Sequence, residues 1–393
     1  MTYRVVTEAR MSQVMDLWDY CFEKKDDPFY QWYFTEYCGK NNMVIGGFDE
    51  QDKLQNMLHL NPYMLNLRGT QQLTPYIVGV ATAPECRGQH LFRPLLETAF
   101  EVLRSQNFPF ALLMPINAGI YLPYEFGFCY YRHKYDMPLE KLQTAQAGSD
   151  LKVARTPLDK EVLAKLYYNS SKVWNGVPVR TDFQWNKLLK VHSLENVQCA
   201  AVYKEDEPVG YMLYKLQDGT FNVIELMADD VAARNRLLQF AASHKSEAKY
   251  FTWLAEAWDK TYLNFADHNE SGSVQPFMMA RCIDARLALE KLPVPADMEE
   301  SNVVLLLTDS VIPRNNHLIK VRTASGKLEA VSTVDDEDIT MNMAAFTQMY
   351  FGAFTATELA EAGKIKVHNA EKLSVLDRLF PKCRNYINEY FSC

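Results

Sequence analysis

The most informative segment of the chain reads VGVATAPECRGQHLFRPLL and runs from Val78 to Leu96. Its start belongs to a short apolar run that predicts a buried strand over 76–82. After a loop, apolar residues recur at helical spacing from His90 onward, which predicts a helix. The unpaired N–H groups at the start of such a helix form an anion site. A pyrophosphate held by backbone donors and by Arg87 or Arg93 fits that site.

The same order of strand, helix and strand recurs in the middle of the chain. The pattern predicts a strand over 221–227, a helix over 230–244 and a strand over 251–255, which indicates a diverged internal duplication. A hairpin is predicted just before it, with strands over 199–203 and 208–216. The sequence LPVP at 292–295 is typical of a linker.

These signals divide the chain into domains. A length of 393 residues favours two to three domains at roughly 150 residues each. We predict three, over 1–137, 138–293 and 294–393. In the last, strands are predicted over 303–308, 318–323 and 328–333, and a helix over 338–352.

Composition excludes several functional classes. Apolar residues make up 48% of the chain, which excludes wholesale disorder. With 41 basic and 49 acidic residues the net charge is −8, so a general basic surface for nucleic acid is not expected. An acidic chain instead suits a cationic substrate. No apolar run is long enough to span a membrane, and the N-terminus lacks the apolar centre of a signal peptide.

The eight cysteines are scattered without a C-x-x-C pair, which argues against both a metal site and a disulfide framework. Reduced thiols in a cytoplasmic protein are the simplest interpretation.

Three segments carry a resemblance to a known family. The stretch VATAPECRGQHLFR (80–93) resembles the coenzyme A loop of GNAT N-acetyltransferases. Together with GIYLPYEFGF (119–128) and LDRLFP (376–381), it makes the whole chain similar to the Eis (enhanced intracellular survival) acetyltransferases. The resemblance implies an α+β fold. Tandem GNAT domains, each a mixed central sheet flanked by helices, would be followed by a sterol-carrier-protein-like α/β domain.

The resemblance implies an acetyl-CoA-dependent N-acetyltransferase that acts on primary amines of polycationic, aminoglycoside-type molecules by direct transfer. Tyr121 would be the proton donor, with Tyr124 as its nearest rival. The terminal carboxylate of Cys393 would accept a proton, or Glu389 or a water if the last two residues carry it past the site. The residues expected to bind the cofactor are Val80, Ala81, Thr82, Arg87, Gly88, Gln89, His90, Leu91, Phe92, Arg93, Ile116 and Asn117.

Two departures from the family pattern stand in these segments. His90 and Phe92 replace glycines of the loop, which affects how closely the backbone can approach a phosphate. Ser392 and Cys393 follow the aromatic residue, Phe391, on which the family tends to end.

The first predicted helix, over 11–25, carries aromatic residues that suit a polyamine pocket. The expected lining is Trp18, Phe22, Asp26 and Phe29, although an amphipathic core helix explains Trp18 equally well. His59, His133 and His192 have no partner pattern and are interpreted as structural histidines.

Two other functions stay open: a protein or peptide lysine acetyltransferase, and a lipid or sterol binder that uses 294–393. The second copy of the duplication lacks the cofactor pattern, so we expect it to bind no coenzyme A. The family also implies a trimer- or hexamer-forming homo-oligomer, and neither nucleic acid, a membrane nor a metal is expected as a partner.

Overall fold

A computed structural model describes residues 1–144, 150–265 and 272–388. The chain forms two compact units. One comprises Met1–Tyr130 and Phe277–Cys393, and the other comprises Tyr131–Pro276. This division does not test the domain bounds predicted at 137 and 293, which remain predictions.

In the N-terminal segment of the first unit, two helices among the strands each bury one apolar face. The α1 helix buries Val14, Leu17 and Trp18, and α3 buries a stripe that begins at Leu95 and ends at Leu103. The elements are β1 (Thr2–Val5), α1 (Met11–Cys21), α2 (Pro28–Trp32), β2 (Met43–Phe48), β3 (Leu54–Asn61), β4 (Met64–Leu67), β5 (Thr70–Leu73), β6 (Tyr76–Thr82), α3 (Phe92–Ser105), β7 (Phe110–Leu113) and β8 (Gly127–Phe128).

The second unit contains one seven-stranded sheet in the order β10-β12-β13-β14-β15-β9-β16. Its β12–β13 pair confirms the predicted hairpin. The β14 and β15 strands pair in parallel, and the α6 helix connects them along the chain. The elements are β9 (Tyr131–Pro138), β10 (Leu151–Thr156), α4 (Lys160–Ser171), β11 (Val177–Pro178), α5 (Asp182–Leu194), β12 (Gln198–Lys204), β13 (Glu207–Gln217), β14 (Thr220–Ala228), α6 (Val231–Ala242), β15 (Tyr250–Glu256) and β16 (Ser273–Pro276).

The chain then returns to the first unit. Its β17 strand completes the first sheet, whose order is β1-β2-β3-β6-β7-β17-β8. A five-stranded sheet follows in the order β20-β19-β18-β21-β22. The elements are β17 (Met279–Cys282), α7 (Ala285–Glu290), β18 (Ser301–Thr308), β19 (His317–Ala324), β20 (Lys327–Ser332), β21 (Ile339–Asn342), α8 (Met343–Tyr350), α9 (Ala356–Glu361), β22 (Ile365–Val367) and α10 (Glu371–Leu379).

Two predicted helices differ in the structure. The helix predicted over 11–25 ends at Cys21, and α2 and a single π-helical turn, Tyr33–Tyr37, follow it. The prediction of one helix over 338–352 was wrong at its start, because 339–342 pair as a strand between β18 and β22. The helix begins only at Met343, where the Asn342 side chain accepts the N–H of Ala345 and caps the first turn.

In the described ranges, no helix is both long enough and apolar enough to cross a lipid bilayer.

Candidate active site

The β6 and β7 strands open a cleft in the first sheet. They are parallel and pair only at Tyr76–Leu112 and Ile77–Leu113. Beyond these pairs, β6 continues to Thr82 without β7 beside it. The backbone edge of 78–82 therefore faces an opening, and Val80 and Thr82 are half-buried at its side. A strand edge with unpaired N–H and C=O groups can bind an amide-containing arm of a ligand.

A β-bulge lies at the mouth of this cleft. His59 pairs with Val78 and Met57 pairs with Ala81, so two residues of β6, Gly79 and Val80, oppose a single residue of β3. Gly79 has a φ of +57°, a left-handed conformation that glycine adopts without strain. A bulge leaves its extra residue outside the ladder. The bulge thus leaves backbone groups of 79–80 outside the β3–β6 ladder, close to the point where β6 separates from β7.

The loop that follows β6 leads to an uncapped helix start. No side chain caps α3 at Leu91, so its first N–H groups remain available to an anion. The Leu91 carbonyl is fixed by the Asn56 side-chain amide at 2.8 Å. His90 has a φ of +57°, so it adopts the conformation for which the family uses glycine, at the usual cost of a side chain there.

Two arginines flank this helix start. Arg87 is exposed and donates from Nε to the Thr82 carbonyl at 3.3 Å, and among the described residues it has no carboxylate partner. Arg93 is also exposed and pairs with Glu97 at 2.8 Å, one helical turn further on. An exposed pair of this kind contributes little to stability, so Arg93 can exchange it for a phosphate. Gly88 and Gln89 are exposed between them.

The segment after β7 carries the remaining predicted contacts. Ile116 is 85% exposed, which is unusual for an apolar side chain and leaves it available to a ligand. The Asn117 carboxamide accepts the N–H of Gly119 at 2.9 Å and starts a short 3₁₀ turn. Tyr121 follows that turn directly.

Tyr121 is nearly buried against aromatic rings. Its ring meets Phe92 at 5.7 Å and Phe126 at 5.9 Å, both edge-to-face. Burial raises its pKa, so the phenol stays protonated at neutral pH. Its hydroxyl has no hydrogen-bond partner within the described ranges, as expected of a group that donates to a bound substrate. Tyr124 contacts the same Phe92 ring at 5.3 Å but is more exposed.

Two of the four predicted pocket residues stack on Tyr33, and a third packs on one of those two. Trp18 is fully buried and stacks on Tyr33 at 4.9 Å, and Phe29 stacks on the same ring at 5.7 Å. Phe22 packs on Trp18 at 4.8 Å. Asp26 is exposed in the segment between α1 and α2. The full burial of Trp18 favours the interpretation of α1 as an amphipathic core helix.

Cys393 and Glu389, the two predicted carboxylate bases, lie outside the described residues. Within the described ranges the cysteines are free thiols, and no group of three His, Cys, Asp or Glu side chains could hold a metal ion.

Comparison with known protein families identifies all three parts of the chain. Residues 2–129 match the acetyltransferase (GNAT) domain, and residues 176–287 match a second acetyltransferase (GNAT) domain model. Residues 285–388 match the sterol carrier protein domain.

The chain contains two GNAT acetyltransferase domains.

Solved structures show the same fold over the whole chain. A probable N-acyltransferase from Enterococcus faecalis has a TM-score of 0.87 at 21% identity, with 100% of both chains covered. A GCN5-related N-acetyltransferase from Anabaena variabilis has a TM-score of 0.83 at 19% identity and covers 99% of this chain and 100% of its own. Eis1 from Mycobacterium abscessus has a TM-score of 0.76 at 16% identity, with the same coverage. Among curated proteins, none matches the chain.

These matches confirm the predicted α+β fold, with tandem GNAT domains before a sterol-carrier-protein-like domain. They also confirm the predicted enzyme class.

The second GNAT domain repeats the cleft of the first with different residues. The β14 and β15 strands pair in parallel from Thr220 to Val223 and then diverge. A cavity of about 240 Å³ lies there, lined in part by Asp230 and Glu256. The Asp230 carboxylate accepts the N–H of Ala233 and caps the helix. Burial raises the pKa of Glu256 to about 7. Two acidic side chains thus line this cavity, together with Arg234, which pairs with Asp259 at 2.9 Å.

Sequence reasoning gave no role to Glu125, although it lies inside the GIYLPYEFGF motif. Its buried carboxylate accepts the Ser310 N–H at 2.7 Å, the Ser310 hydroxyl at 2.6 Å and the Met343 N–H at 2.9 Å. Glu125 thus ties the Tyr121 segment of the acetyltransferase to the sterol-carrier-protein-like domain. The partners lie far along the chain, so no local pattern indicates them.

Proposed function

We propose that this GNAT acetyltransferase transfers the acetyl group of acetyl-CoA to primary amines of polycationic small molecules of the aminoglycoside type. The observation that carries the proposal is the convergence of three features. The cleft beside 78–82 leads to the uncapped start of α3, and the ring of Tyr121, whose hydroxyl is unpartnered in the described ranges, packs on Phe92 at that helix start. Arg87 and Arg93 supply positive charge for the pyrophosphate.

The chemistry needs few groups. The amine attacks the thioester carbonyl carbon directly, and the developing oxyanion accepts hydrogen bonds from backbone N–H groups at the β6 bulge. The C–S bond then breaks and Tyr121 gives its proton to the departing thiolate. A base accepts the proton that the amine loses. We propose the terminal carboxylate of Cys393 for this step, with a water relay to overcome its low basicity.

No covalent enzyme intermediate is required, so none of the cysteines needs to react. Burial raises the pKa of Cys38 to about 12 and that of Cys129 and Cys282 further, and these thiols are therefore poor nucleophiles.

The charge balance supports a cationic acceptor. The chain has a net charge of −8, and an acidic protein concentrates cations near its surface. A cytoplasmic location and a trimeric or hexameric assembly belong to the same proposal and follow from the family resemblance.

The test is a thiol-release assay over amine classes. Acetyl-CoA is incubated with the full chain and an aminoglycoside, a linear polyamine, a lysine-containing peptide or no acceptor. We expect release with the aminoglycoside. Release with peptides alone would make the protein a peptide lysine acetyltransferase. No release, with a thermal shift by an apolar ligand and none by acetyl-CoA, would favour a lipid or sterol binder.

Two variants test the assigned roles in the same assay. Tyr121→Phe keeps the ring contacts with Phe92 and Phe126 and removes only the proton donor. We expect kcat to fall by about 100- to 10,000-fold without a loss of stability. Tyr124→Phe is the matched control. A chain truncated after Phe391 tests the base, and unchanged activity would exclude the Cys393 carboxylate.

A further inference from the structure

His59 lies beneath the β6 bulge and is completely buried in the first sheet. Trp18 packs on one side of its ring, with centroids 5.0 Å apart. A Cβ added to Gly79 would lie 3.1 Å from the Cδ2 atom of His59. Because Cδ2 is bonded to Nε2, the edge of the ring that carries Nε2 is the edge beside the bulge.

A chain of hydrogen bonds fixes where the imidazole proton resides. The Gly39 N–H, which can only donate, points to the Oδ1 atom of Asn42 at 2.8 Å. This orients the amide so that its NH₂ group donates to the Tyr33 hydroxyl oxygen at 3.0 Å. Tyr33 receives that bond, so its own O–H is directed at Nδ1 of His59, 2.9 Å away.

The protonation state of His59 follows from these contacts. Nδ1 accepts, so the proton of the neutral ring is on Nε2. Burial lowers the pKa of His59 to about 3, which keeps the ring neutral at physiological pH. The Cys38 thiol, 3.7 Å from Nδ1, also stays protonated, because burial raises its pKa to about 12. Both neighbours of Nδ1 are therefore donors.

The Nε2–H group is left as a buried donor. Within the described ranges Nε2 has no hydrogen-bond partner. An unsatisfied buried donor typically costs about 1–3 kcal/mol, so natural proteins rarely keep one without a use. Here it lies beside Gly79 of the β6 bulge, on the β3 side of β6.

We propose that the Nε2–H of His59 donates a hydrogen bond to the acyl carbonyl oxygen of the bound thioester, an inference that rests on the proposed acetyltransferase function. Tyr33 and Asn42 are positioning residues that hold the ring in the required tautomer.

The donor acts in the addition step and keeps its proton. As the amine adds to the carbonyl carbon, the C=O π electrons move to oxygen, and the Nε2–H bond strengthens toward the oxyanion. When the carbonyl re-forms and the C–S bond breaks, Tyr121 protonates the sulfur. His59 is thus a catalytic donor and takes no part in acid–base exchange.

Three substitutions at one position separate the donor from its packing. Removal of an oxyanion donor typically lowers kcat by about 100- to 1000-fold, the loss expected for His59→Leu. His59→Gln places an amide near the former Nε2 and should restore kcat to within about tenfold of wild type. His59→Asn reaches only the former Nδ1 and should stay low. Acetyl-CoA binding and thermal unfolding are measured for each, so that a misfolded variant is recognised. Equal activity of the Gln and Asn variants would overturn the proposal.

A spectroscopic readout tests the tautomer without catalysis. With ¹⁵N-labelled histidine, wild-type His59 should show a protonated Nε2 and an unprotonated Nδ1, assigned by difference from His59→Gln. A non-cleavable ketone analogue of acetyl-CoA should shift the Nε2–H signal. Tyr33→Phe should mix the tautomers and lower kcat with little change in KM. Tyr30→Phe is the matched control, because its hydroxyl bonds the Met15 carbonyl instead.

The outcomes distinguish this inference from the proposed function. A wild-type enzyme that releases no thiol with any amine would refute the proposed acceptor class, while the tautomer and the response to the analogue would still decide the role of His59. An active enzyme whose His59→Leu variant keeps wild-type kcat, or whose proton resides on Nδ1, would overturn the inference alone.

Discussion

Replacement of Glu125 by Gln should loosen the attachment between the Tyr121 segment and the sterol-carrier-protein-like domain. One carboxylate oxygen accepts both Ser310 donors and the other accepts the Met343 N–H. In the Gln variant the amide oxygen can keep the Ser310 bonds. Its NH₂ group then faces the Met343 N–H, so two buried donors oppose each other and one bond is lost.

The magnitude follows from the kind of bond. A hydrogen bond to a charged group contributes about 1.5–3 kcal/mol, and a buried donor left unsatisfied costs a similar amount. We expect a local destabilisation of about 2–3 kcal/mol, which corresponds to roughly a 25- to 150-fold increase in the population of the open state. Tyr121 lies on the same segment, so kcat should also fall.

Hydrogen exchange read by mass spectrometry is the appropriate assay, because it reports local opening in a multidomain chain. The peptides that contain Ser310 and Met343 should exchange faster by the factor above, while peptides of the second unit should not change. Glu101→Gln, at an exposed carboxylate on α3, is the control. Wild-type exchange rates in the Glu125 variant, or an equal effect of the control, would refute the reasoning.

Three further predictions concern the second GNAT domain and the cofactor. Arg180 and Glu225 form a buried bidentate ion pair at 3.0 and 2.6 Å. Arg180→Met should therefore lower the free energy of unfolding by about 3–5 kcal/mol, and the added change Glu225→Gln should recover part of it, measured by urea denaturation. Folding raises the pKa of Glu256 from 4.5 to about 7, so its contribution to stability is present below pH 4.5 and lost as pH rises to 7. Relative to wild type, Glu256→Gln should gain about 2–3 kcal/mol between pH 4.5 and pH 8. Calorimetric titration should find one acetyl-CoA per chain, and Arg87→Gln should weaken that site in a salt-dependent manner. Two sites per chain would contradict the assignment of the second domain.

The sequence was sufficient where local patterns determine structure. The apolar run of β6, the spacing of α3 and the motif around Tyr121 are each contiguous in the sequence, so the strand and the helix that border the cleft could be predicted. The Gly79–Val80 bulge could not, because it depends on the register of β3 against β6. The same limit applies to β17, four residues that enter the first sheet between β7 and β8 and carry no signal of that partnership.

His59 shows the limit most clearly. In the sequence it is one of four polar residues in the eight-residue strand β3, and the structural interpretation was reasonable. Its tautomer depends on Tyr33, which lies at the start of the π-helical turn after α2 and contacts Nδ1 at 2.9 Å. No residue pattern predicts such a turn, since it reflects packing of the aromatic cluster rather than local propensity. Similarly, 339–342 were predicted as helix because the apolar spacing of α8 continues into them, and pairing with β18 overrides it.

The two GNAT domains share one cleft and differ in the charge at its helix start. In the first, Leu91 offers no side-chain cap, so the first N–H groups of α3 can bind a pyrophosphate beside Arg87. In the second, the Asp230 carboxylate accepts one N–H at the helix start, that of Ala233, and adds a negative charge. A phosphate oxygen about 4 Å from that carboxylate would be repelled by about 4 kcal/mol at the effective dielectric of a protein surface, close to a thousandfold in affinity. We therefore expect the second domain to bind no coenzyme A without any change in the fold, because the carboxylate at its helix start disfavours an anion there.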